Sequence, residues 1–67
     1  MGTIGERIKL ARERLGMSQD ELAVKVGYNN RSSVNRIEKC RDLPATRLIL
    51  FADALQVTPS FLLGYTE

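Results

Sequence analysis

An all-α domain of five short helices is what this sequence predicts, and three observations carry that prediction. Apolar residues recur at three- and four-residue spacing, with no period-two alternation and no hairpin signal. Ser, Thr or Asn stands just before most of these amphipathic stretches, twice with Glu three positions on, the spacing of a capping box. Three glycines end such stretches and are each followed by an apolar residue: Gly16-Met17, Gly27-Tyr28 and Gly64-Tyr65. Glycine takes the left-handed conformation without steric cost, and the next side chain supplies the hydrophobic contact of a Schellman ending. Met17, Tyr28 and Tyr65 are therefore expected to be packing lids.

The first helix starts after Thr3, with Glu6 completing the box, and is expected to run to Leu15. Ile4, Ile8, Ala11 and Leu15 form its buried stripe, while Arg7, Lys9 and Arg14 lie away from it and should be solvated. Arg12 falls beside the stripe, so its charge needs a partner. The acid near the inner face of the third helix is Glu38, which predicts a partly buried Arg12–Glu38 ion pair. The second helix opens at Ser18 with Glu21 three residues on, presents Leu22, Ala23 and Val26 on one face, and stops at Gly27. Ala23 is small where two helices cross closely; a bulkier residue would overpack the crossing by roughly 1–3 kcal/mol.

After Tyr28 and Asn29, Asn30 can cap a third helix from Arg31 to about Lys39. Val34 and Ile37 are its apolar pair, leaving Arg31, Ser32, Asn35, Arg36 and Lys39 for outward positions. Cys40 to Leu43 is a loop, because Pro44 pushes Leu43 out of helical geometry. A fourth helix spans about Ala45 to Leu55, with Leu48, Ile49, Ala52 and Leu55 facing the core. Thr58 caps the fifth, Pro59 takes its first position, and Phe61 and Leu62 close the core.

Composition bounds the function. The chain of 67 residues is expected to form one domain, 1–67, small enough that capping matters to its stability. It has one cysteine and no histidine, which fits a reducing cytoplasmic setting and removes the commonest metal ligand and acid–base group. No apolar run could span a bilayer: Arg47 and Asp53 bracket Leu48 to Ala52. Residues 1–41 carry nine Lys/Arg against five Asp/Glu, whereas residues 42–67 carry one against three. One end is cationic, which suggests a one-sided polyanion contact. A short, basic, amide-bearing helix held across another through a glycine turn, over about residues 18–39, is how a helix-turn-helix presents a major-groove reader.

The pieces IGERIKLARERLGMSQDELA, VGYNNRSSVNRIEK, DLP and ADALQVTPSFLLG cover nearly the whole chain and resemble the Cro/repressor-type helix-turn-helix family. The resemblance implies a compact, lambda-repressor-like five-helix fold and sequence-specific binding of double-stranded DNA, as in phage repressors. It is nearest the subgroup whose turn is one residue longer (Tyr28-Asn29-Asn30), where such a domain often precedes a separate C-terminal domain. It implies base reading by Arg31, Ser32, Asn35 and Arg36. Phosphate contacts are implied for Gln19, Lys39 and Arg41, with Ser18 and Asn30 beside them at the helix N-termini. Arg12 and Glu38 match a buried ion pair in relatives. Two positions depart from the pattern. Cys40 replaces a glycine, so the third helix ends differently or Cys40 is strained by on the order of 1 kcal/mol. Arg31 replaces a glutamine-like reader, shifting the expected base from adenine toward guanine.

Three or four readers are too few for useful specificity, so a homodimer on two half-sites roughly 34 Å apart is expected. Leu62, Leu63 and Tyr65 are candidates for the contact between copies, and equally for core and cap. The alternative function is a helical protein-interaction module, an antitoxin or a partner of an antirepressor or other regulatory protein. Exposed apolar residues on the third helix would favour it, and the expected ones are polar. Nothing calls for a cofactor or metal, and no nucleophile–base arrangement points to an enzyme. Cys40 lies between Lys39 and Arg41, a setting that suggests a redox-responsive thiol; a small residue tolerated in a loop is the plainer reading.

Overall fold

The computed structural model describes residues 2–65. Its elements are α1 (Ile4–Arg14), α2 (Gln19–Val26), α3 (Arg31–Glu38), α4 (Ala45–Leu55) and α5 (Pro59–Leu63), with no strand among the described residues. Both capping boxes form: Thr3 Oγ1 accepts from the Glu6 amide at 3.2 Å and Ser18 Oγ from the Glu21 amide at 3.0 Å, each glutamate returning the bond. Asn30 and Thr58 cap α3 and α5. Pro44 begins α4 without a side-chain cap, its carbonyl accepting from the Leu48 amide at 2.9 Å.

The core is one cluster. Ile8, Leu22, Val34, Phe51 and Leu62 lie at its centre, all wholly buried, with residues of every helix around them. α3 rests on α1 and α2, while α4 and α5 support those two from below. Ala23 is buried at the α2–α3 crossing, as its size required.

Four expectations about packing are corrected. α1 ends at Arg14, so Leu15 leaves the stripe and is 43% exposed. On α4 the buried set is Leu48, Phe51, Ala52 and Leu55, spaced i, i+3, i+4, i+7; Ile49 falls one step outside that arc and is 59% exposed. Arg7 is half-buried rather than solvated: Nη1 donates to the Phe61 carbonyl at 3.4 Å, and the guanidinium lies 5.5 Å from the Phe61 ring centre. Arg14 covers the same ring at 5.6 Å. Tyr65 is no lid, being 77% exposed, although its amide still closes α5 on the Ser60 carbonyl at 2.9 Å.

The helix endings have a common form. Amides of Met17, Tyr28 and Tyr65 reach back to the carbonyls of Arg12, Ala23 and Ser60, the six-to-one bond of the Schellman motif, across three glycines at positive φ. α4 ends the same way without glycine. The Val57 amide bonds the Ala52 carbonyl at 3.0 Å across Gln56, the one non-glycine residue at positive φ among the described residues (φ 60°). Cys40 does not adopt that geometry. α3 closes on Lys39 in right-handed conformation, with the Cys40 amide on the Ile37 carbonyl at 2.9 Å, so the alternative of a different helix ending holds.

Candidate nucleic-acid interface

α3 has eight residues, and two of them, Val34 and Glu38, are buried. Ser33 and Ile37 are half-buried beside them, so Ile37 is only a partial member of the expected apolar pair. At 3.6 residues per turn, Arg31, Asn35, Lys39, Ser32 and Arg36 follow one another around the remaining, contiguous arc. All five are exposed. Asn35 and Ser32 lie within the arc and Arg31 and Arg36 form its borders, so the four expected base-reading residues share one outward face. No exposed apolar side chain interrupts it.

The turn before α3 is fixed from two sides. Asn30 Oδ1 accepts from the Ser32 amide at 2.9 Å, which sets the first turn of the helix. Tyr28 packs against the core, 6.2 Å from Phe51 between ring centres, and the Arg47 guanidinium of α4 lies over its ring at 4.8 Å. Tyr28 is the lid the sequence predicts. Arg47, the lone cation of the acidic end of the sequence, is a cation–π partner of the turn.

The C-terminal end of α3 is fixed by a buried polar joint. Arg12 Nε donates to Glu38 Oε2 at 2.6 Å and Nη2 to Oε1 at 3.3 Å. Nη1 donates to the Met17 carbonyl at 2.9 Å, and the two side chains are 11% and 4% exposed. The predicted ion pair is present, and it has a third member. Gln19 Nε2 donates to Glu38 Oε1 at 3.0 Å, so the first residue of α2 is tied to the last residue of α3. Its backbone N–H has no intrahelical acceptor at that position.

Gly5 completes the joint. Its N–H donates to the Cys40 carbonyl at 3.1 Å, and a Cβ there would overlap the Glu38 carbonyl and come within 2.6 Å of the Ile37 carbonyl oxygen. α1 can approach the end of α3 this closely because position 5 has no side chain. In the sequence, Gly5 is marked only by being a glycine inside a helical pattern.

The remaining expected phosphate-contacting residues gather around α3 but have different freedoms. Ser18 is exposed, with its oxygen and backbone N–H both engaged in the α2 cap. Asn30 is exposed, with its side-chain oxygen engaged by the Ser32 amide. Lys39 and Arg41 are exposed and border a groove with Gln19 and Asn35. Cys40 is half-buried, its Sγ bonded to the Arg36 carbonyl at 3.4 Å. Leu62 belongs to the core, leaving Leu63 and Tyr65 as the exposed members of the trio named for dimer contact. No cluster of potential metal ligands occurs among the described residues, and no helix there is long and apolar enough to cross a membrane.

Sequence comparison agrees with this geometry: the family model for the helix-turn-helix matches residues 8–62. The chain belongs to the helix-turn-helix family. Among solved structures it is similar to the P22 c2 repressor protein, determined in complex with synthetic operator 9T in the presence of Tl+. The two chains are 27% identical, with a TM-score of 0.83, over 98% of this chain and 100% of that one. No curated protein matches the chain. Both matches bear out the Cro/repressor-type resemblance, and the five-helix arrangement is the lambda-repressor-like fold expected of a helix-turn-helix protein of that type.

Proposed function

We propose that the protein is a sequence-specific, double-stranded DNA-binding regulator of the repressor type, with α3 as its major-groove reader. One observation carries the reading: the exposed arc of α3 bears Arg31, Ser32, Asn35 and Arg36, flanked by Lys39, on a helix small enough to enter a groove about 12 Å wide. The similar P22 c2 repressor, solved with a synthetic operator, supports it. Base identity is read by these four side chains, and Arg31 favours guanine, whose O6 and N7 accept both ends of a guanidinium fork. Gln19, Lys39 and Arg41, with Ser18 and Asn30, contact phosphates and set register without carrying sequence information.

Two copies bind two half-sites roughly one helical turn apart, and the exposed Leu63 and Tyr65 are where they meet. The protein-interaction reading would require apolar side chains on the arc of α3, and that arc has none. Selecting bound duplexes from a random pool tests the function. Paired half-sites should emerge, and Arg31→Ala should lose about 1–3 kcal/mol of preference at one base pair. A pool that stays random after selection, or an Arg31→Ala protein with the same preferences, would refute it.

A further inference from the structure

Building on the DNA reading above, we propose that α1 is a third DNA-contacting element, in which Lys9 completes a seat for one backbone phosphate with Lys39 and Arg41. A groove runs between α1 and the C-terminal half of α3. Lys9 enters it from α1, Gln19 from α2, Asn35 from α3, Lys39 from the cap that closes α3, and Arg41 from the loop beyond. The three cations thus come from three segments, all three are exposed, and none forms an ion pair among the described residues. Two carboxylates share the groove, and both are engaged elsewhere. Glu38 is neutralised by Arg12 and bonded by Gln19, while Glu6 Oε1 accepts from the Thr3 amide at 3.1 Å. What remains is an excess of positive charge facing solvent.

Asn35 decides which anion fits. It belongs to the exposed arc of α3 and to the wall of this groove, so the groove opens directly beside the surface that faces the bases. A duplex whose major groove receives α3 brings its sugar–phosphate strand to that border. Lysine suits the position as a flexible point charge for phosphate. From sequence, Lys9 is one more solvated cation of α1. It joins Lys39 and Arg41 because Gly5 lets α1 close on the end of α3.

The test compares the wild-type chain with Lys9→Gln on a duplex selected from a random pool and on a scrambled duplex of equal length. Both affinities should fall by the same factor, about three- to tenfold near 0.1 M salt, and the slope of log K against log salt should become shallower by about 0.9. Lys9→Arg should restore both. Lys25→Ala, in a separate groove with Leu15 and Val24, should change neither. A neutral methylphosphonate in place of the phosphate flanking the half-site should weaken the wild type and leave Lys9→Gln no weaker than before, which separates a strand phosphate from a free anion. Unchanged affinity and slope for Lys9→Gln, with Lys39→Ala weakened, would overturn the seat and leave the DNA reading standing. Loss on the selected duplex alone would make Lys9 a base reader and also overturn it. A wild-type chain that binds no duplex would overturn both.

Discussion

Toward α2, α3 is held by apolar packing: Leu22, Ala23, Val26 and Val34 are all buried, none more than 5% exposed. Toward α1 it is held by polar bonds, the Arg12–Glu38 pair and the Gly5 N–H on the Cys40 carbonyl, with one further polar bond to that pair from Gln19 at the start of α2. The difference reflects what each contact can specify. Apolar burial is non-directional and tolerates small slides. A guanidinium fork on a carboxylate fixes distance and orientation together. With one apolar residue wholly buried on α3, packing alone leaves its axial position loosely defined, and the polar joint supplies that position at the end nearest Lys39 and Arg41.

This contrast can be broken by removing one partner of the joint. Arg12→Ala should cost about 3–5 kcal/mol, because Glu38 is left buried and unpaired; denaturant midpoints read it directly. A loss below about 1 kcal/mol would reduce the joint to an ordinary surface pair. On the apolar side, Leu22→Ala should cost about 3 kcal/mol through lost burial and a cavity, with the salt slope of DNA binding unchanged. Replacing both charges, Arg12→Met with Glu38→Leu, should leave stability within about 1 kcal/mol of wild type. Binding should nonetheless weaken by about tenfold, since Gln19 loses its acceptor; duplex titration and a melting curve on one sample separate the two effects. The smallest change sits outside the comparison. Gln56→Gly should stabilise by about 0.5 kcal/mol, relief of left-handed strain being partly offset by chain entropy, and a lowered melting temperature would contradict it.

Much of this was legible in the residues because it is local. A capping box lies within four residues and a Schellman glycine within six, so Thr3–Glu6, Ser18–Glu21, Gly16, Gly27 and Gly64 announce their own geometry. Arg12–Glu38 was legible for another reason: a charge beside an apolar stripe demands a partner, and few acids were available. Features set by the third dimension were not. Gly5 matters only because α3 lies against it, and Gln19 reaches Glu38 only because α2 and α3 cross where they do. Arg47 finds Tyr28 across the core boundary. Ile49 was mistaken for Phe51 because a short apolar run, Leu48 to Ala52, fits two overlapping helical stripes. Gln56 is left-handed because α4 must turn into α5, a demand no side chain at that position declares. Of the interface, the outward face of α3 followed from periodicity, whereas the place of Lys9 required the packed α1–α3 pair.

The cap at Asn30 has a consequence for what can approach the leading tip of α3. Its Oδ1 gives a lone pair to the Ser32 amide, which leaves the NH2 as the donor end of that side chain. The next side chain, Arg31, has no acceptor at all. Donors therefore outnumber acceptors on these two side chains. The tip favours a partner that offers lone pairs, such as a purine N7 or a strand oxygen, and leaves the Ser32 hydroxyl to accept from an exocyclic amine.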